Sequence, residues 1–194
     1  YTFVSSLLYT CMKQITLIGF LSVLFGFRLF AQPVNDNFAA ATDVTAIINA
    51  GCTSGGVYTT VAGTADQAKG SCWTNGPNKN VWFKFTATAT SFINVQVKVS
   101  GAGETMRYPF VALWDGTPAQ LACTNNQGAA VDISMSYHGL TPGNTYYISI
   151  DNHSGGTYGK FDICLSDVVD YDYPEGATDL TASINGGCST GGTY

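Results

Sequence analysis

The chain has 194 residues, of which 11% are charged and 13% aromatic, with 22 glycines and a formal net charge of −5. This composition suits Tyr- and Thr-rich strands joined by many turns. No basic patch accompanies the acidic balance, which excludes nucleic acid as a partner.

Residues 1–11 precede Met12 and are read as an upstream extension, with Cys11 inside it. Met12-Lys13-Gln14 opens a run from Ile15 to Phe27 without charge, closed by Arg28 and Ala31. A charged start, about a dozen apolar residues and a small residue before the break predict a secretory signal peptide over 12–31. Cleavage after Ala31 would leave Gln32 as the first mature residue. The competing reading joins 1–31 into a membrane anchor; Arg28 and the Ala-Gln junction favour cleavage, and no stable membrane span is then expected. Beyond residue 31, six basic residues face thirteen acidic ones, about −7.

The predicted strands show themselves by alternation. In Val81-Trp82-Phe83-Lys84-Phe85-Thr86, valine and phenylalanines point one way while Trp82, Lys84 and Thr86 point the other. Ile93, Val95, Val97 and Val99 alternate with Asn94, Gln96, Lys98 and Ser100 as a half-buried strand. Further runs are expected at 110–114, 131–135, 146–150 and 161–165. Turn chemistry separates them, at Asp115-Gly116, Thr141-Pro142-Gly143-Asn144 and Ser154-Gly155-Gly156. No helical periodicity follows residue 48. Strands at this spacing predict an all-β module over 33–166, an antiparallel β-sandwich or jelly roll.

Residues 39–58 repeat at 175–194 without gaps, with twelve of twenty positions identical at an offset of 136. Shared positions include Asp43/Asp179, Asn49/Asn185, Cys52/Cys188, Gly55/Gly191, Gly56/Gly192 and Tyr58/Tyr194. Fixed-period self-similarity predicts a repeat array. The chain then holds one complete module, a short acidic linker at 167–174, and the start of a second copy at 175–194.

The order of the motifs carries a resemblance. Asn35-Asp36-Asn37-Phe38, the 81–86 strand, Val111-Ala112-Leu113-Trp114-Asp115-Gly116 and Leu121-Ala122-Cys123-Thr124-Asn125-Asn126 follow in turn. Leu140-Thr141-Pro142-Gly143-Asn144-Thr145-Tyr146-Tyr147-Ile148 and Gly159-Lys160-Phe161-Asp162-Ile163-Cys164 complete the set. The sequence resembles the β-sandwich modules related to the bacterial pre-peptidase C-terminal domain, often repeated in large secreted proteins that use the type IX secretion route. The resemblance implies a non-catalytic extracellular module with a structural or adhesive role at the cell surface. The alternatives are a carbohydrate-binding module, or an accessory domain of a secreted protease or glycosidase.

Cys52, Cys72, Cys123 and Cys164 form an even set in an exported module, which predicts two disulfides. Three connectivities are open. Cys52–Cys72 with Cys123–Cys164 is favoured, because each pair would staple neighbouring segments. No C-x-x-C pair suggests zinc.

Candidate chemistry is sparse. His138 and His153 are the only histidines, and no nucleophile elbow surrounds any serine. Glu104 is the one glutamate of the complete module, and no carboxylate pair at a glycosidase separation is fixed by sequence. No catalytic residue is therefore assigned. Calcium is conceivable at Asp36 with Asn35 and Asn37, or at Asp151 with Asn152, though such clusters usually serve turns. Trp73, Tyr108 and Tyr158 lie in loops where flat rings could stack on sugars, making glycans or other cell-surface proteins the expected partners. Trp82 is expected to be partly exposed on its sheet face, and Trp114 to pack.

Overall fold

A computed structural model describes residues 31–125, 128–153 and 157–167, together with Ile184. The signal segment, the turn at 154–156, most of the linker and the second repeat lie outside the described residues, apart from Ala31, Asp167 and Ile184. Among the described residues there are nine strands and two short 3-10 turns, Phe38–Ala40 before the first strand and Thr45–Ile47 between the first and the second. The strands are β1 (Thr42–Asp43), β2 (Tyr58–Thr59), β3 (Val81–Thr86), β4 (Phe92–Lys98), β5 (Pro109–Trp114), β6 (Gln120–Asn125), β7 (Ile133–His138), β8 (Thr145–Asn152) and β9 (Lys160–Ser166). Among the described residues no helix is long and apolar enough to cross a membrane.

The strands form two sheets, in the orders β1-β3-β8-β5-β6 and β2-β9-β4-β7. All pairings between these strands are antiparallel except β1 with β3. The fold is an all-β sandwich. From β3 onward every connection crosses between sheets except the β5–β6 hairpin. That hairpin is closed by Asp115, whose Oδ1 accepts the Thr117 N–H, the Thr117 hydroxyl and the Ala119 N–H. These bonds, led by the one from Ala119, hold its carboxyl below the usual carboxylate range.

Alternation places the core between the sheets. Val81, Phe83, Phe85, Val111, Leu113, Ile148 and Ile150 face Ile93, Val95, Val97, Phe161, Ile163 and Leu165, all buried. The clean alternation of β4 appears as alternating half-buried and buried residues along the strand, because its outer face carries Asn94, Gln96 and Lys98. Two expectations move. The 131–135 run becomes β7 two residues later, with Val131 half-exposed. β6 was not expected as a strand, since Gln-Leu-Ala-Cys-Thr-Asn shows no alternation and is half-buried throughout.

The outer face of the five-stranded sheet carries a second core. Trp82, Phe110, Ala112 and Trp114 are buried there with Trp73, and Phe38, Ala41, Cys72, Cys123 and Tyr147 pack against them. Trp82 lies on the face opposite Phe83, as alternation requires, but it is fully buried. Phe38 meets it edge-on at 5.1 Å and Trp114 lies 6.0 Å away. The segment before β3 forms this cover. Asp66 and Asn80 brace it, with Asp66 N donating to Asn80 Oδ1 and Asn80 Nδ2 returning to the Asp66 carbonyl, both at 2.9 Å. Asp66 also accepts the Phe38 N–H at 2.6 Å.

The disulfides join Cys52 to Cys164 and Cys72 to Cys123. This corrects the favoured pairing of neighbours in sequence. The segment carrying Cys52 runs back along β9, where Cys52 bridges Cys164 and Asn49 N bonds the Leu165 carbonyl. The segment carrying Cys72 instead crosses the outer face of the other sheet toward β6. Sequence proximity is a poor guide here, because the long stretch before β3 serves both sheets in turn.

Candidate functional site

One end of the sandwich gathers half-buried aromatic and charged side chains. Register places Pro109 at the start of β5 opposite Asn152 at the end of β8, and His153 N donates to the Tyr108 carbonyl at 3.0 Å. Arg107 N donates to the Thr157 carbonyl at 3.0 Å, bringing the lead-in of β5 beside the lead-in of β9. Tyr108 and Tyr158 each follow a member of that pair. Both are half-buried. Tyr108 adopts a left-handed backbone, φ 57°, a conformation that bulky residues rarely occupy.

The rings and the loop at 75–80 surround this end. The His153 ring lies 6.3 Å from Tyr108 and 6.1 Å from Phe110. Lys79 places its ammonium 4.4 Å from the centroid of Tyr158, a cation–π contact. Burial, and then the nearby Asp151 carboxylate, hold the Tyr158 phenol above its usual pKa. Of the three aromatics expected to bind a ligand, Tyr108 and Tyr158 stand at this end. Trp73 does not present a face, and that expectation is corrected. It is 1% exposed, stacks on Phe110 at 5.5 Å and donates Nε1 to the Val111 carbonyl at 3.3 Å. His153 and Lys79 were not expected in such a group, because only tertiary pairing brings them to the tyrosines. Trp114 packs as expected, 3% exposed, with Nε1 donating to Ser149 Oγ at 2.8 Å.

Beneath this rim lies Asp151, fully buried. Its carboxylate accepts the N–H groups of Asn78 at 2.6 Å, Asn152 at 2.8 Å and Lys79 at 3.3 Å. Burial pushes its carboxyl above the usual range, and these hydrogen bonds offset that only in part. Asp36, the other aspartate considered for calcium, is buried and accepts the Thr64 N–H and hydroxyl, each at 2.6 Å. Asn35 next to it donates to the Trp82 carbonyl at 2.9 Å. In both places the carboxylate organises backbone, the role such residues take in turns. No group of three or more His, Cys, Asp or Glu able to hold a metal occurs among the described residues.

Glu104 and Asp162 are both buried. Asp162 accepts Gly56 N at 2.6 Å, Thr53 Oγ1 at 2.7 Å and Val57 N at 3.1 Å. Burial raises its pKa, but the hydrogen bonds from Gly56, Val57 and Thr53 outweigh it and hold the carboxyl below the usual carboxylate range. A depressed folded-state pKa contributes stability above the unfolded value and loses it as pH falls through the folded one. Asp162→Asn is expected to cost about 1–3 kcal/mol at neutral pH, by setting an amide among N–H donors. Its denaturation midpoint should also fall less steeply than that of the parent chain below pH 4 or so. An unchanged acid limb would assign the acid sensitivity elsewhere. His138 sits at the far end of β7, its ring 4.5 Å from Phe92.

Fold and site together define an all-β sandwich with two disulfides and an aromatic rim. No family model and no curated protein matches the chain. Among solved structures, FlgD from P. aeruginosa is similar over 45% of this chain and 72% of its own, at 16% identity and a TM-score of 0.30.

Proposed function

We propose that the chain is a non-catalytic extracellular module, structural or adhesive at a bacterial cell surface and related to the pre-peptidase C-terminal β-sandwiches. On this reading it is exported with cleavage after Ala31 and stands in a tandem array. The observation that carries it is what the repeated block does. Asp43 Oδ1 accepts the Thr45 N–H and hydroxyl, and the same hydroxyl accepts the Thr86 N–H, fixing β1 beside β3. Asn49 is left-handed, φ 59°, and exchanges hydrogen bonds with Asp167.

Cys52 bonds Cys164, and Tyr58 packs edge-on against Phe83 at 4.7 Å. Gly56, at φ 69°, comes so close to its neighbours that a Cβ would lie 2.6 Å from the Gly103 carbonyl oxygen. Each of these positions recurs at 175–194. What has been duplicated is a set of seams, not a set of reactive groups, as suits a spacer or binder. Two disulfides fit an oxidising compartment.

The test is secretion from a Gram-negative host, followed by mass spectrometry. A mature terminus at Gln32 and a non-reducing peptide map with Cys52–Cys164 and Cys72–Cys123 are expected. Retention in the cytoplasm with reduced thiols would overturn the extracellular assignment.

A further inference from the structure

We propose that the rim formed by Tyr108, His153, Tyr158 and Lys79 is a binding site for a neutral saccharide. The proposal rests on the extracellular reading, since that is where such a ligand would be met. Three observations carry it.

The first is convergence. Tyr108 leads into a strand of one sheet and Tyr158 into a strand of the other, and the Arg107–Thr157 hydrogen bond at 3.0 Å holds those lead-ins together. Two half-exposed phenols with an imidazole beside one and an ammonium over the other combine apolar ring faces with hydrogen-bonding tips. Sugars ask for that combination, since a pyranose presents C–H groups on its faces and hydroxyls around its edge.

The second is a cost left standing at this end. Tyr108 keeps its left-handed backbone, φ 57°, where a turn residue such as asparagine or glycine would sit more easily. In the strand position immediately before His153, Asn152 is fully buried with its Oδ1 lacking a hydrogen-bond partner, although buried polar atoms are nearly always paired. Strain at Tyr108 and an unpartnered acceptor at Asn152 therefore fall at the His153–Tyr108 backbone bond, on one of its partners and next to the other.

The third is charge. Residues 32–194 carry about −7, six basic against thirteen acidic, so a polyanionic glycan would be repelled from the molecule as a whole. The ammonium of Lys79 is already placed on Tyr158, which leaves it a donor for hydroxyls. A neutral ring stacked on Tyr108 or Tyr158, with hydroxyls toward Lys79, meets these conditions.

The experiment titrates the oxidised full chain with cellohexaose, chitohexaose and mannohexaose, with heparin as the polyanion, by calorimetry. At least one neutral oligosaccharide should bind. Tyr108→Ala and Tyr158→Ala should each weaken it about tenfold, while Tyr108→Phe, which keeps the ring, should bind nearly as the parent does. Lys79→Gln provides a second readout at a residue whose loss leaves the core untouched, and it too should weaken binding. No binding of any neutral probe overturns the site, as does binding of heparin alone. Affinity undiminished in Tyr158→Ala and Lys79→Gln overturns it as well. Because purified oxidised protein is titrated, a chain that binds the sugar yet is never exported loses the location and keeps the site. An exported chain that binds no sugar loses the site alone.

Discussion

Trp73→Ala is expected to lower the stability of the module by about 3–5 kcal/mol, the range for emptying a buried tryptophan position. That is a large share of the roughly 5–15 kcal/mol that separates a folded domain from its unfolded chain. Trp73 is 1% exposed and lies over Phe110 on the outer face of the five-stranded sheet. Its indole also fills the space a side chain at Gly70 would need, with Nε1 2.7 Å from where a Cβ would stand. Removing it takes away the stack, the Nε1 hydrogen bond to Val111 at 3.3 Å and the packing of the whole cover. Trp82, Phe110 and Trp114 would then meet water. Urea unfolding followed by near-ultraviolet circular dichroism should show an early midpoint, with a smaller loss in Trp73→Phe. A variant as stable as the parent would mean that the cover contributes little and that the indole is held for another purpose. The outcome also separates two roles for an aromatic residue in a loop. A sugar platform loses affinity and keeps its fold, whereas a cover residue loses the fold first.

The contrast between Trp73 and Tyr108 shows what could be read in advance. Both stand in irregular stretches rich in turn residues, and nothing local tells a buried ring from an exposed one. The strand that alternates between one core and solvent was legible, as in β4, since a period of two reports which face is wet; in β3 and β5 the same period only separated the two faces. Trp82 shows the limit. Alternation assigned it to the outer face correctly, but whether that face is wet depends on a segment with no period of its own, held by Asp66, Asn80 and Cys72. The disulfide pairing failed for the same reason. The candidate rim was legible in its two tyrosines, while Lys79 and His153 join them only through the Asn78–Asp151 and His153–Tyr108 hydrogen bonds.

The two disulfides are expected to differ less in how much they stabilise than in what they hold. Cys52 and Cys164 are 112 residues apart in sequence and Cys72 and Cys123 are 51 apart. Loop-closure entropy then assigns about 4.8 and about 4.1 kcal/mol to them. The near equality follows from the logarithm, since doubling a loop adds only about 0.6 kcal/mol. In Cys52→Ser/Cys164→Ser the segment at 48–57 keeps its non-covalent seat, through Asn49 N to Leu165 O, Thr53 N to Ile163 O and the Asp162 bonds to Gly56 and Val57. The loss should be global, with an earlier denaturation midpoint, a steeper slope from the more expanded unfolded chain and little change in tryptophan emission before unfolding. In Cys72→Ser/Cys123→Ser the cover loses its tie to β6, and with it the tether that keeps Trp73 beside Phe110. Hydrogen exchange at 66–80 should rise ahead of global unfolding, with a red shift in tryptophan emission as the outer aromatic face opens. Peptide mapping of the first variant should still return Cys72 bound to Cys123. Recovery of both as free thiols would restore the pairing of sequence neighbours, and would leave the cover without a covalent tie to β6.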